Sequence, residues 1–387
     1  MLQKVKDYPA LLQSCWQEHL SKRKPNASTV ISTFAGCGGS SLGYSMAGFR
    51  ELLAVEWDDN AVATFKLNFP DIPVYHGDIA NLSVDECMRL AKVREGQLDI
   101  LDGSPPCQGF STAGKRNFSD DRNQLFREYV RLLRGLRPKV FVMENVSGMV
   151  KGKMKLIFAD ILRELKASGY KVSARLLNAM YFNVPQSRQR MIFIGVREDL
   201  GIAPSHPQAE SKPITIAQAL LGIKTNRFDS KGQFRVKIID ENSPMITLTK
   251  GNQHHLQAIA FDDRYARLWA RIPIGGNASD VIGKGYNSCV KPNPLLPAPT
   301  LPKTQTGRGF ATIAHWNEPR ALTIDEAKLI ASYPDDWQTI GGYSESWARI
   351  GNSVPPLFMR SIARHIRTDI LDKMGNLNGA NTETSHA

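Results

Sequence analysis

Apolar and β-branched runs of five to eight residues recur through the first half of the chain: STVISTF at 28–34, LLAVE at 52–56, PVYHGDI at 73–79, LDILD at 98–102 and KVFVMENV at 139–146. Each reads as a buried strand. A less apolar run at 172–177 and a firmer one at 190–196 (RMIFIGV) follow. Helical spacing separates them. Leu125, Phe126, Tyr129, Leu132, Leu133 and Leu136 lie on one face of a helix predicted over 123–136, and 154–165 reads as another. The succession is that of an open α/β sheet. Before it, Leu11, Leu12, Cys15, Trp16 and Leu20 predict one packed helical face in an appendage at 1–27. Near the end, Thr323 caps a helix over 322–333 with Glu326 three positions on, and Pro334 stops it. A tight polar turn is predicted at 351–356, a closing helix over 357–371, and a polar, disordered tail at 375–387.

The strand ends carry the chemistry. After the first strand comes Ala35-Gly36-Cys37-Gly38-Gly39-Ser40-Ser41, a turn in which glycines let a ligand approach the backbone at a helix N-terminus. It fails the dinucleotide pattern G-x-G-x-x-G, because Ser41 stands where the third glycine belongs. No basic residue lies between Phe34 and Phe49, so the turn suits a nucleoside without a pyrophosphate. Glu56 ends the second strand, 20 residues after Gly36, and Asp78 ends the third. Strand-end acids are as often solvated as functional; beside a glycine turn they read as ribose and adenine contacts.

The fourth strand runs into Gly103-Ser104-Pro105-Pro106-Cys107-Gln108. Most buried cysteines are small apolar filler. Two prolines that lock the backbone before Cys107 argue instead for a placed nucleophile, which works as its thiolate. Glu144 follows four apolar residues, where an unpartnered carboxylate is costly and favours holding a proton, as a general acid does. Arg188 and Arg190, two apart in an extended segment, are predicted to point the same way and grip a carboxylate, carbonyl or phosphate.

Charge then narrows the partner. The 387 residues carry a formal charge of +12, and residues 205–320 hold 15 Lys and Arg against 8 Asp and Glu, with 10 of the 22 prolines. Such a basic, loop-rich insert answers a polyanion, with nucleic acid first. Five scattered cysteines without a Cys-x-x-Cys argue against a disulfide framework or zinc site and for a reducing cytoplasm. No signal peptide or run of about 18 apolar residues is present, so no membrane span is expected.

Taken together these motifs resemble the cytosine-5 DNA methyltransferases of bacterial restriction–modification systems, over 29–200 and 319–370. Phe34-Ala35-Gly36-Cys37-Gly38-Gly39, Glu56-Trp57 and Asp78-Ile79 resemble the family's cofactor motifs, and Pro105-Pro106-Cys107-Gln108 its nucleophile loop. Glu144-Asn145-Val146 resembles the acid motif, Gln186-Ser187-Arg188-Gln189-Arg190 the two-arginine motif, and Gly351-Asn352-Ser353-Val354-Pro355-Pro356 the last one. The resemblance implies a Rossmann-like S-adenosylmethionine-dependent methyltransferase domain with a smaller, loop-rich target-recognition domain. Its segments would be catalytic at 28–204, recognition at 205–318, and catalytic again at 319–374. S-adenosyl-L-methionine would touch Phe34, Gly36, Cys37, Gly38, Gly39, Glu56, Trp57, Asp78, Ile79, Pro105, Leu125, Asn352 and Ser353. Catalysis would rest on Cys107, Glu144, Arg188 and Arg190. Arg190 would bind the base O2, while Arg188 would orient Glu144 or hold a phosphate. Thr300, in Pro299-Thr300-Leu301, would meet DNA, with Thr247-Leu248 a second candidate for that pair. Double-stranded DNA is the implied substrate, with a cognate endonuclease as functional partner and the enzyme a monomer.

Other readings stay open at this point. A tRNA methyltransferase shares the scaffold, but the insert lacks a Cys-Phe-Thr signature. Adenine-N6 methylation would need an Asp/Asn-Pro-Pro-Tyr that is absent. A DNA-binding regulator would have no use for an intact Cys107, Glu144, Arg188 and Arg190. A nicotinamide dehydrogenase fails on the third glycine.

Overall fold

The computed structural model describes residues 2–106, 124–150, 154–220, 223–228, 234–238, 261, 263–283, 289–305 and 311–374. The chain forms two compact units, one of residues 17–178, 189–208 and 358–387, the other of residues 1–16, 179–188 and 209–357.

In the first unit the predicted strands form within two or three residues of their expected ends. They are β1 (Thr29–Thr33), β2 (Arg50–Glu56), β3 (Val74–His76), β4 (Ile100–Gly103), β5 (Val140–Val146), β6 (Tyr170–Asn178) and β8 (Gln189–Arg197). They make one sheet of order β3-β2-β1-β4-β5-β8-β6, parallel except for β8, which runs antiparallel to both neighbours. Near-continuous apolar runs are what strands buried on both faces require, and β4 and β5 are buried along almost their whole lengths. Between the strands run α2 (Gly39–Met46), α3 (Asp59–Asn68), α4 (Val84–Ala91), α5 (Gln124–Leu136) and α6 (Met154–Ala167). The apolar face foreseen for α5 is buried through Phe126, Tyr129, Leu132, Leu133 and Leu136. The Tyr129 hydroxyl donates to the carbonyls of Leu101 and Val142, at 3.3 and 3.2 Å, clamping β4 to β5. Beside it Gly103 is obligatory, since a Cβ there would come within 2.7 Å of the Tyr129 ring.

Strand order reverses between β1 and β4. In open α/β sheets the carboxyl ends of the strands flanking such a reversal form the ligand crevice.

Two acids sit beneath α2. Tyr44 donates to Asp102 Oδ1 at 3.1 Å and Ser41 to Glu51 Oε1 at 2.9 Å. Burial pushes the Glu51 carboxyl up to about 8, against the hydrogen bond from Ser41, and Asp102 up to about 7. A carboxyl whose folded value lies above its unfolded one binds its proton more tightly when folded. Its contribution is therefore whole below the ordinary carboxyl range and is lost as pH rises through about 8. Glu51→Gln should raise the thermal midpoint over wild type at pH 9 and change it little at pH 5. The upper bound is about 5 kcal/mol, read by melting both proteins across that range. A gap that does not widen with pH would refute the protonated form.

In the second unit, the N-terminal part of α1 (Tyr8–Leu20) buries Tyr8, Leu12, Cys15 and Trp16, and the Tyr8 hydroxyl donates to the Leu329 carbonyl at 2.7 Å. Leu20, expected on the packed face, is the last residue of the helix and is 57% exposed. Short strands β7 (Gln186–Ser187) and β11 (Ala298–Pro299) pair in parallel, and β9 (Ile223–Phe228) with β10 (Phe234–Ile238) forms a hairpin. Helices α7 (Ile216–Ala219), α8 (Asp263–Arg271), α9 (Ser279–Ile282), α10 (Ile324–Ile330) and α11 (Tyr343–Asn352) follow, and α12 (Pro356–Ile366) leads the chain back. The predicted Thr323–Glu326 capping box is present at the start of α10. Glu326 also takes a bidentate pair from the fully buried Arg320, at 2.8 and 2.9 Å.

These divisions differ from the segmentation expected from the motifs. Residues 319–357 fold with the insert, because Trp347 Nε1 donates to the Pro302 carbonyl at 3.0 Å and a Cβ on Gly351 would collide with that same carbonyl. The polar turn expected at 351–356 begins only at Ser353; Gly351 and Asn352 are the last residues of α11. The expected tail at 375–387 lies outside the described residues. Among the described residues no helix is long and apolar enough to cross a membrane, and no group of three or more His, Cys, Asp or Glu is placed to hold a metal.

Candidate active site

The parallel strands bring their carboxyl ends to one edge of the sheet, so residues far apart in sequence arrive side by side. After β1 the backbone turns through Phe34, Gly36 and Gly38 at φ of 54°, 57° and 93°. Gly38 has no alternative, since a Cβ would lie 2.6 Å from the Phe69 ring. Above Gly36 a Cβ would meet nothing within 4 Å, so the turn leaves open space there. Cys37 is buried, so what it offers a ligand is backbone.

Glu56 braces this turn. Its Oε2 accepts from Gly36 N–H at 2.8 Å, and its Oε1 from the N–H groups of Trp57 and Asp58 at 2.9 and 3.0 Å. A carboxylate has about four acceptor sites, so the ribose role expected for Glu56 has roughly one left. The exposed Trp57 ring follows, 75% accessible. Asp78 is not at a strand tip: β3 stops at His76, and Asp78 caps the single turn Ile79–Asn81 through Ala80 N–H at 2.9 Å. It remains exposed, while Ile79 is buried beside it. Leu125 packs its side chain on the core of the unit. Asn352 and Ser353 end α11 in the other unit, Asn352 exposed and the Ser353 hydroxyl donating back to the Ile350 carbonyl at 2.8 Å.

At the end of β5, Glu144 is 8% exposed and meets Arg190 Nε at 2.6 Å. The antiparallel register of β5 with β8, in which Val146 faces Arg190, brings the two side chains together. The next residue, Asn145, is buried and donates from Nδ2 to the Pro105 carbonyl at 3.1 Å. That bond ties the acid strand to the start of the Cys107 loop. Its residue was visible within the Glu144 motif, but nothing in the sequence assigned it a partner. Cys107 itself lies outside the described residues, as does Thr247-Leu248.

The two arginines have different partners. Arg188 lies between β7 and β8, where the chain leaves the second unit, and it is buried. Its Nη1 donates to the Leu301 carbonyl at 3.1 Å. Arg190 sits in β8 and holds Glu144. The strand breaks between them, and each guanidinium has its own partner.

Around Arg188 the Thr300 segment is latched. Ala298 N–H donates to the Pro185 carbonyl at 2.9 Å, Leu301 N–H to Gln186 Oε1 at 3.2 Å, and the Thr300 hydroxyl to the Ser187 carbonyl at 2.8 Å. Gln186, fully buried, opens the two-arginine motif, and no local signal marked its bond to Leu301.

A reversed parallel sheet with a glycine turn after β1, an acid brace after β2 and a carboxylate–guanidinium pair closing β5 is a Rossmann-like methyltransferase fold. Residues 28–368 match the family model for C-5 cytosine-specific DNA methylases. The type II methyltransferase M1.HphI of Haemophilus parahaemolyticus is 35% identical over 347 residues, covering 87% of this chain and 86% of its own. M.DdeI of Desulfomicrobium norvegicum is 32% identical over 372 residues, covering 87% and 88%. Among solved structures, a prophage-encoded E. coli protein proposed to be a DNA modification methyltransferase superposes with a TM-score of 0.70 at 24% identity, covering 89% of this chain and 100% of that one. The S. pombe Dnmt2 methyltransferase does so at 0.58 and 17%, covering 88% and 98%. The chain belongs to the C-5 cytosine-specific DNA methylase family and is of its bacterial restriction–modification type.

Proposed function

We propose that this protein methylates carbon 5 of a cytosine swung out of duplex DNA, through a covalent adduct with Cys107. The observation that carries the reading is the buried Glu144–Arg190 pair, tied through Asn145 to the backbone entering the Cys107 loop. Carbon 5 of cytosine is too electron-poor to attack a methyl group unaided. The Cys107 thiolate adds at carbon 6, and the ring's electron pair moves toward N3 and carbon 5. Glu144 holds a proton at N3 and stabilises that charge, while Arg190 fixes the carboxyl and reaches toward O2. Arg188, held by the Leu301 carbonyl, positions the Thr300 segment toward DNA. S-adenosyl-L-methionine, when bound, supplies an electrophilic methyl group whose bonding pair leaves with sulfur. Carbon 5 bonds to that methyl group, a base then takes the carbon 5 proton, the freed C–H pair re-forms the double bond to carbon 6 as the carbon–sulfur pair leaves with the Cys107 thiolate, and the N3 proton returns to Glu144.

The cofactor fits the residues present. The open space over Gly36, the spare acceptor site of Glu56 and the exposed Trp57 ring suit a nucleoside, and Asp78, Ile79 and Pro105 lie on the same sheet edge. Phe34, Gly38, Gly39 and Leu125 complete that side. None of the chemistry is reachable inside a stacked duplex, so the base is extruded at a cost of a few kcal/mol. Phosphate contacts from the 205–318 insert offset that cost. We read the protein as a cytoplasmic monomer paired functionally with an endonuclease of the same site.

Labelled methyl transfer to duplex DNA and to tRNA, with bisulfite sequencing of the product, tests the reading. Methylcytosine at one recurring DNA sequence is expected. Transfer to tRNA alone would overturn the assignment of substrate.

A further inference from the structure

We propose that the arginine face of α8 grips the backbone of the DNA duplex, with Arg264, Arg267 and Arg271 each taking a phosphate. The inference rests on the DNA-methylase reading and assigns that reading's electrostatic grip to one helix. The helix Asp263-Arg264-Tyr265-Ala266-Arg267-Leu268-Trp269-Ala270-Arg271 carries its three arginines along one stripe, with the Arg264 guanidinium 5.9 Å from the centre of the Tyr265 ring. At about 100° per residue the three arginines fall within an arc of about 60°. Tyr265, Ala266 and Trp269 take the other side and Leu268 flanks the arginines, all four packed on the small apolar core around Ile272, Cys289 and Ala314.

That inner face is pinned. Trp269 Nε1 donates to the His315 carbonyl at 3.0 Å, and Lys291 Nζ lies 3.8 Å above the Trp269 ring. The outer face is therefore presented by a fixed element, and Arg264, Arg267 and Arg271 are all exposed on it.

What separates this stripe from an ordinary solvated face is its lack of counter-charge. Four helical arginines of the first unit are each paired with a carboxylate: Arg89 with Glu86 at 2.6 Å, Arg131 with Glu128 at 2.6 Å, Arg163 with Asp160 at 2.8 Å and Arg134 with Glu164 at 2.6 Å. The three on α8 make no salt bridge among the described residues. From Arg264 to Arg271 the helix rises about 10 Å. That length of duplex axis carries roughly six phosphates, so all three guanidiniums can be engaged at once, with the fork geometry that suits phosphate oxygens.

The test is the salt dependence of duplex binding by the full-length protein. The triple substitution Arg264→Gln, Arg267→Gln, Arg271→Gln should reduce the slope of log K against log salt by about 2.7, roughly 0.9 for each phosphate released. Between 50 and 200 mM salt the wild type should then lose about 40-fold more affinity than the variant. Duplexes with and without the target site should weaken by the same factor, because phosphate contacts carry no sequence information. Arg→Lys at the same positions should restore most of the slope. Parallel slopes for wild type and a variant with unchanged melting would overturn the assignment, as would weakening confined to the target duplex. If the triple variant misfolds, the three single substitutions serve instead, each expected to lower the slope by roughly 0.9. A wild type that does not bind duplex would sink the DNA-methylase reading itself, an outcome distinct from a failure of α8 alone.

Discussion

Cys107→Ser should lower the rate of methyl transfer by about 10⁴-fold or more, the scale of removing a nucleophile from a site that acts as a unit. A serine hydroxyl stays protonated near neutral pH, whereas a free thiol is ionised to a few per cent and is the stronger nucleophile. The loop that carries residue 107 leaves a rigid platform. Gly103 is wedged against Tyr129, the Pro105 carbonyl is held by Asn145, and a second proline follows. The substitution should therefore spare the fold, cofactor binding and duplex affinity. Single-turnover transfer of labelled methyl groups measures the loss. A companion assay uses duplex carrying 5-fluorocytosine, whose fluorine cannot leave as a proton does. The wild type should form a protein–DNA adduct that survives denaturation, mapping to a peptide containing Cys107, and the variant should form none. Full activity in the serine variant would end the nucleophile assignment.

Glu144→Gln should cost about 10²–10⁴-fold in kcat, the usual range for a general acid–base group. The amide keeps the volume and still accepts from Arg190 Nε, which now meets the carboxylate at 2.6 Å. Folding should therefore survive and the loss should fall on chemistry. Arg190→Ala is a harsher change, because it leaves a buried carboxylate without its partner. Breaking such a pair costs roughly 3–5 kcal/mol, so this variant should melt lower as well as react slowly. Melting curves beside single-turnover rates separate the two effects. If the glutamine variant turned over within about fivefold of wild type, Glu144 would be a structural acid braced by Arg190 and the proposed proton at N3 would have no donor.

The edge of the sheet was legible in the sequence because its signals are local. A β-branched run, the glycines at 36, 38 and 39, the two prolines before Cys107 and the Thr323–Glu326 cap each act within a few residues. Backbone sterics and short-range hydrogen bonds produce them wherever they occur. Their order along the chain also carried the family resemblance, and with it the α/β fold.

Pairing across strands and loops was decided only by the tertiary structure. Arg188 and Arg190 are two residues apart, yet one donates to the Leu301 carbonyl and the other to Glu144, because the chain passes between two units at that point. Glu56 spends most of its acceptor capacity on the backbone of its own crevice. Residues 319–357 join the basic 205–318 insert through Trp347, Gly351 and Pro302. The arginines of α8 differ from those of α4 or α6 only in what faces them. Local sequence sets which backbone a residue adopts, while a side chain's partner depends on contacts tens or hundreds of positions away, and those exist only once the chain has folded.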